Sequence, residues 1–433
     1  MEDILVWSPQ LGPRLTYILE EALGRLLGWS WQLTTDPELF ARWSGPKFGY
    51  AATPLPAPAP WVKAAGLLEE QGIREWPLTT VAGPGHPGLF PVGPGGLLPF
   101  DPLAACFFLL SRYEEYGPYE PDAHGRYPAR LSWAWRAGCL DRPVVVLWAR
   151  QLGAALRERF PQLPAPPADY QFCPTYDVDL PWAVARPSLR GLARAVLDGL
   201  MGRRALSRLR WRVWKGREAD PFDRFAWLQQ LHETTGHPAT VFFLLSGGLN
   251  RYDVNPATWR PAYRRLVRAV TAWATVGVHP SYFAGERPAR LRRECRRLLR
   301  LTGQPVQLSR QHFLRFSLPA TYRHLIAAGL HADYSMGYAE TPGFRAGTTE
   351  PFRWYDLERE AVTPLRVVPF AVMDVTLRQY QGLNPEAAAA YLRSLQEDCR
   401  REGWRLTTLW HNSSFSSYHG WEGWEEVYSV LFH

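Results

Sequence analysis

From residue 171 onward, short apolar runs alternate with stretches of helical period, and this alternation constrains the chain more than any other feature. The runs are QFCPTYD (171–177), ATVFFLLS (239–246), VGVHPS (276–281), VQLSRQHF (306–313), LHADYSM (330–336), RVVPFAVMD (366–374) and LTTLWHN (406–412). Helical patterns fall mostly between them, at 222–235, 257–274, 289–301, 320–328 and 386–402, and several stop at a glycine (Gly236, Gly329, Gly403). Strands that alternate with helices predict parallel crossovers, and seven of them predict a (β/α)7-type barrel. Chemistry in such barrels gathers at the C-terminal ends of the strands. Asp177, Asp179, Ser246, His279, Arg310, His312, Asp333, Asp374 and His411 all fall late in a run or just past it. A single such residue reads as a satisfied core polar group. One from nearly every run does not.

The chain has 433 residues, more than one ordinary core holds. PQLPAPPADY (161–170) is the best linker, with four prolines in its first seven positions. The expected organisation is an N-terminal α/β domain of unknown role, residues 1–165, followed by the barrel, residues 166–433. Within the first part, ILVW reads as a strand and Leu15–Leu27 as an amphipathic helix. Asp101-Pro102 opens another helix, with Asp as N-cap and Pro at the first helical position. Gly83–Gly88 spells GPGHPG, a literal G-x-G-x-x-G. A dinucleotide loop needs a preceding strand, a following helix and free backbone N–H groups. Pro84 and Pro87 remove two donors and more Gly and Pro follow, so a turn-rich loop is expected and no nucleotide cofactor.

The N-terminus MEDILVWSPQ has no basic segment leading into a long apolar one, so no secretory signal is expected. No stretch is long and apolar enough for a transmembrane helix. Five scattered cysteines without a C-x-x-C pair suit reduced thiols in the cytoplasm. The net charge of +8 is uneven: residues 186–217 carry ten Arg or Lys against one Asp, mixed with Leu, Val and Trp at helical spacing. A solvated helical excursion and a surface for anionic lipid at the inner membrane are the two readings. No recognition motif accompanies the charge, so nucleic acid is not expected. Twenty tryptophans supply aromatic faces for cores or for sugar rings.

In TYDVD (175–179), strand alternation puts Asp177 and Asp179 on one face and Val178 on the other. Two carboxylates that close call for a cation or an arginine beside them, unless they sit on a solvent-facing edge. With its neighbours this segment resembles the polysaccharide deacetylases of carbohydrate esterase family 4, over residues 170–433. The resemblance implies a base at Asp177 and a metal-ligating carboxylate at Asp179. It implies a metal histidine at His279, an arginine bracing the base at Arg310 in SRQHF, an aspartate at Asp374 in VMD and a catalytic acid at His411 in LWH. The chain departs from the family at Phe283, where a second metal histidine usually stands. Arg310 and His312 share a face, with Gln311 turned away, so His312 is the replacement ligand expected.

The implied activity is metal-dependent removal of N-acetyl groups from a carbohydrate, a cell-surface polysaccharide or its precursor. The cofactor would be a divalent metal, zinc first, with cobalt, nickel or manganese as others. Tyr338, Tyr355, Trp421 and Trp424 are candidate stacking residues. A non-catalytic carbohydrate-binding relative is the alternative that Phe283 favours. A glycosyltransferase using D-V-D to hold a metal–nucleotide sugar is a third. Oligomeric state is not legible.

Overall fold

In the computed structural model the described residues are 3–433, without 56, 84, 185–195, 198–199, 202–203 and 248–249. They group into two compact units. One holds Met1–Gln171, Phe313–Val372 and Cys399–Thr407; the other holds Phe172–His312, Met373–Asp398 and Thr408–His433.

The first unit opens with β1 (Ile4–Trp7), β2 (Trp31–Thr34), β3 (Lys47–Ala51) and β4 (Trp61–Lys63), a parallel sheet in the order β2-β1-β3-β4. A helix follows β1 from Pro13, as the period predicts. Asp101 caps the buried helix Pro102–Leu110: its Oδ1 accepts from the Ala104 N–H at 2.9 Å. The GPGHPG stretch, of which Pro84 lies outside the described residues, joins β5 (Thr80–Ala82) to β6 (Pro87–Leu89) as an antiparallel hairpin, not a strand to a helix. The dinucleotide geometry is therefore missing.

The second unit carries β7 (Gln171–Val178), β8 (Thr240–Leu244), β9 (Thr275–His279) and β10 (Leu308–Ser309), all parallel. The helices Phe225–Thr235, Pro261–Thr271 and Pro288–Thr302 separate them, which makes three βαβ crossovers. Register brings the strand ends level: Leu244 pairs with His279, and Val278 with Ser309. The described helices include none long and apolar enough to cross a membrane.

The seven-fold alternation does not continue through the first unit. There β11 (Ala332–Met336) runs parallel to β13 (Ala361–Pro369), but β12 (Phe352–Asp356) is antiparallel to β13. The reason is the connection. A short turn joins β12 to β13, with Glu360 at positive φ, and a turn that short permits only antiparallel pairing. RVVPFAVMD divides into the end of β13 and the two-residue β14 (Val372–Met373), and β15 (Arg405–His411) completes the strands. β15 lies between β7 and β14 in strand order.

The proposed sugar-stacking residues do not have free faces. Tyr338, Tyr355, Trp421 and Trp424 are all buried. Tyr355 packs against Phe107 and Tyr17, and Trp424 against Trp421. They are packing residues.

Candidate metal centre

Every residue of the sequence-derived site lies in the second unit. β7 ends at Val178, and the face shared by Asp177 and Asp179 looks at the end of β9. His279 Nε2 lies 3.2 Å from Asp179 Oδ1 and 3.6 Å from Asp177 Oδ2. The other ring nitrogen of His279 lies 2.5 Å from the Arg310 carbonyl oxygen. A carbonyl only accepts, so Nδ1 carries a proton, and Nε2 is the nitrogen turned to the carboxylates.

The expected strand through His312 is shorter than its pattern. β10 stops at Ser309, and Phe313 and Leu314 take positive φ. Parity still holds, because alternate N–H groups keep donating to the neighbouring segment: Arg310 N to Val278 O and His312 N to Pro280 O, each at 3.1 Å. Arg310 and His312 therefore reach the same cluster. His312 Nε2 lies 3.5 Å from Asp179 Oδ2, and the two imidazole centroids are 5.0 Å apart.

Asp179, His279 and His312 each offer one ligand atom, all within 4.8 Å of one another. Ligands about 2.0–2.1 Å from one tetrahedral ion stand roughly 3.3 Å apart. The two Asp179–imidazole distances of 3.2 and 3.5 Å bracket that spacing. Asp179 Oδ1 is buried and accepts no well-aligned hydrogen bond. A buried acceptor left so is costly, and a cation between it and two Nε2 atoms removes the cost. The donor set, two imidazoles and one carboxylate, suits zinc or a similar divalent metal. The residues fit the group.

Around this cluster stand two further pairs. Arg310 donates to Asp177 Oδ1 at 3.0 Å and to Thr175 Oγ1 at 2.7 Å, and Thr175 donates in turn to the Thr408 carbonyl. Arg310 is fully buried, so the guanidinium fixes one Asp177 oxygen and leaves Oδ2 turned to His279. His411, at the end of β15, donates from Nδ1 to Asp374 Oδ1 at 2.9 Å, and its Nε2 lies 3.8 Å from Asp179 Oδ2. Asp374 is fully buried and also accepts from the His411 N–H, the Val375 N–H and Ser414 Oγ.

The histidines differ in charge for a physical reason. Burial, with a smaller push from the His237 ring and against the His237 carbonyl bond, brings His232 down to about 4. Burial also opposes charge on His312 and His411, but carboxylates outweigh it. Asp179 and Asp253 bring His312 up to about 9, and Asp374 with Asp179 brings His411 up to about 10. Burial works against ionisation of Asp179 too, yet His312 and His279 hold its carboxyl well below the ordinary range. Asp253 lies in the loop after β8 and has no strand parity or motif to flag it. The sequence reading passed over it.

Residues 4–161 match the model of a family of unknown function, DUF7033. No curated protein matches the chain. The solved structures it resembles include the polysaccharide deacetylase of Bacillus cereus, at 12% identity, 60% of this chain, 85% of that one and a TM-score of 0.31. A CE4 family pseudoenzyme from Bacillus anthracis follows at 10% identity, 61% of each chain and 0.31. The 4-alpha-glucanotransferase of Thermococcus litoralis stands at 15% identity, 61% of this chain, 37% of that one and 0.36. At such identities and scores these likenesses decide nothing about chemistry, which rests on the side chains described above.

Proposed function

We propose that the second unit is a metal-dependent hydrolase that removes N-acetyl groups from a carbohydrate. One observation carries the reading: a braced carboxylate (Asp177–Arg310) and a charged imidazole (His411–Asp374) both border the Asp179, His279 and His312 cluster. A pure binding surface has no use for a proton acceptor and a proton donor held by separate buried partners. A divalent cation held by Asp179, His279 and His312 would polarise the acetamide carbonyl and acidify water. Asp177 takes a proton from the attacking water as its oxygen bonds to the carbonyl carbon. The C–N bond then breaks, and His411 gives its proton to the departing amine. Acetate and a free amino sugar result. Each proton transfer contributes roughly 10²–10⁴-fold.

The choice of sugar amide follows the ordered sequence motifs rather than the geometry. A precursor attached to a lipid or a nucleotide inside the cell would suit a cytoplasmic enzyme, held at the inner membrane through residues 186–217. Phe283 favours a second reading, a carbohydrate-binding protein without turnover. Phe283 packs on Tyr282 and Tyr252 and is no ligand.

The test uses full-length protein stripped with a chelator and given N-acetylglucosamine oligomers. Acetate release should return with zinc or cobalt. Asp177→Asn should lower turnover at least about 100-fold while metal still binds, and Asp179→Asn should lose both. Metal-independent release, or full turnover in Asp177→Asn, would overturn the assignment. Sugar binding without acetate release from any acetylated oligomer would favour the second reading.

A further inference from the structure

Asp253 is buried to the last atom, yet it belongs to no sequence motif. Four donors converge on it. Oδ1 accepts from His312 Nδ1 at 3.0 Å and from the Tyr282 N–H at 2.9 Å; Oδ2 accepts from Asn250 Nδ2 at 2.7 Å and from Arg290 at 3.3 Å. Asn250 closes the turn from the other side, its Oδ1 accepting the Tyr282-facing loop's own Tyr252 and Asp253 N–H groups.

Two of these contacts matter together. Tyr282 sits in VHPSYF, the loop that brings Phe283 where a second metal histidine would stand. Ser281 beside it is tied to the buried Glu294 through both N–H and Oγ. The same Asp253 oxygen that fastens this loop holds the imidazole from the segment after β10. With Nδ1–H donated to Asp253, His312 turns Nε2 toward Asp179 Oδ2, 3.5 Å away, and Nε2 is the nitrogen left for a metal. A carboxylate behind a ligating imidazole also raises the basicity of the ligating nitrogen.

We infer that Asp253 is the positioning residue that turns His312 into a metal ligand, so that the site keeps two imidazoles although β9 and the loop after it supply only one. The inference rests on the metal-site reading above. Asp253 touches neither substrate nor the reacting atoms; it acts through His312. A merely structural Asp253 would close the Asn250 turn and pin Tyr282 without affecting metal affinity.

The experiment titrates cobalt and zinc into chelator-stripped full-length wild type, Asp253→Asn, Arg290→Met and Asp179→Asn, and reads affinity, the visible cobalt spectrum and the metal-free melting temperature. Asp253→Asn should bind about 10- to 100-fold more weakly with an altered cobalt spectrum. Arg290→Met, which removes another partner of Asp253, should soften the fold while metal affinity stays at the wild-type value. Wild-type affinity in Asp253→Asn, or equal loss in both variants, would overturn the inference. Should Asp253→Asn not fold, the ring nitrogens of His312 decide in metal-loaded wild type: a protonated Nδ1 supports the inference, and a protonated Nε2 overturns it. Unchanged affinity in Asp179→Asn would instead remove the metal site itself, a result separate from any failure of Asp253.

Discussion

At the scale of single residues, the site joins two kinds of carboxylate. Asp177 is braced by a cation, while Asp374 is wrapped by N–H and O–H donors and faces an imidazole. The second arrangement sets a pH dependence. Burial works against charge on His411, but Asp374 raises it to about 10, so the imidazolium persists well above neutral pH. A general acid works only while protonated, and the alkaline limb of the rate profile therefore follows that group. Asp374→Asn removes the opposing charge and leaves burial in command, so the protonated form is lost at lower pH. The alkaline limb of the variant should move to lower pH, so that it falls at least about 10-fold further behind wild type near pH 9 than near pH 5. Parallel pH–rate profiles for the two proteins would show that His411 is not the acid.

At the scale of elements, strand parity made most of the site legible. The period of two puts Asp177 with Asp179 and Arg310 with His312, while His279 is marked by its place at the end of an apolar run, and the backbone ladder that continues past Ser309 explains why parity extends beyond the strand proper. Asp253 was illegible because a turn closed by an asparagine has no period. The β12–β13 hairpin was missed for a related reason: FRWYD lies in a Gly- and Pro-rich stretch that reads as loop, and its pairing partner is decided by the turn after it. The basic segment 186–217 is described only in part. Its first part, with Leu189 and Leu192, lies outside the described residues. In the helix Arg204–Trp214 and just beyond, Arg208, Trp211, Arg212 and Lys215 fall at one-turn spacing and all are exposed; Trp211 is 41% exposed, and Leu200 upstream is 80% exposed. An exposed Trp among cations is the composition of an interfacial helix, and each basic residue near an anionic surface contributes about 1 kcal/mol. The protein should sediment with anionic vesicles at low salt, less at high salt, and little with neutral vesicles. Changing Arg208, Arg212 and Lys215 together to Glu should abolish the pelleting. Equal pelleting in every condition, or none in any, would leave the segment a solvated excursion.

At the scale of the whole molecule, the proline-rich linker marks a change of sequence pattern, and the DUF7033 match ends at its first residue. We propose that 1–165 and 166–433 are pieces of different sequence origin. The compact units follow another division, because the first one includes residues 313–372. The joints inside that unit are buried and charged. Arg345 forks onto Glu115 at 2.6 and 2.9 Å, Arg14 donates to Glu360 at 2.9 Å, and the Tyr17 hydroxyl donates to the Arg353 carbonyl at 2.7 Å. Phe107 and Tyr17 pack on Tyr355 with ring centroids 5.1 and 5.0 Å away. Cutting at 165/166 removes Glu115, Arg14, Tyr17 and Phe107 together. Breaking one buried ion pair by losing a partner costs about 3–5 kcal/mol, which is comparable to the net stability of many domains. Residues 166–433 expressed alone should therefore be poorly soluble, bind a hydrophobic dye and lack near-UV circular dichroism, even though every proposed catalytic residue is present. Co-expression with 1–165 should restore a soluble complex with native dichroism. A monomeric, cooperatively melting 166–433 fragment would show that residues 313–372 do not need the N-terminal segment to fold.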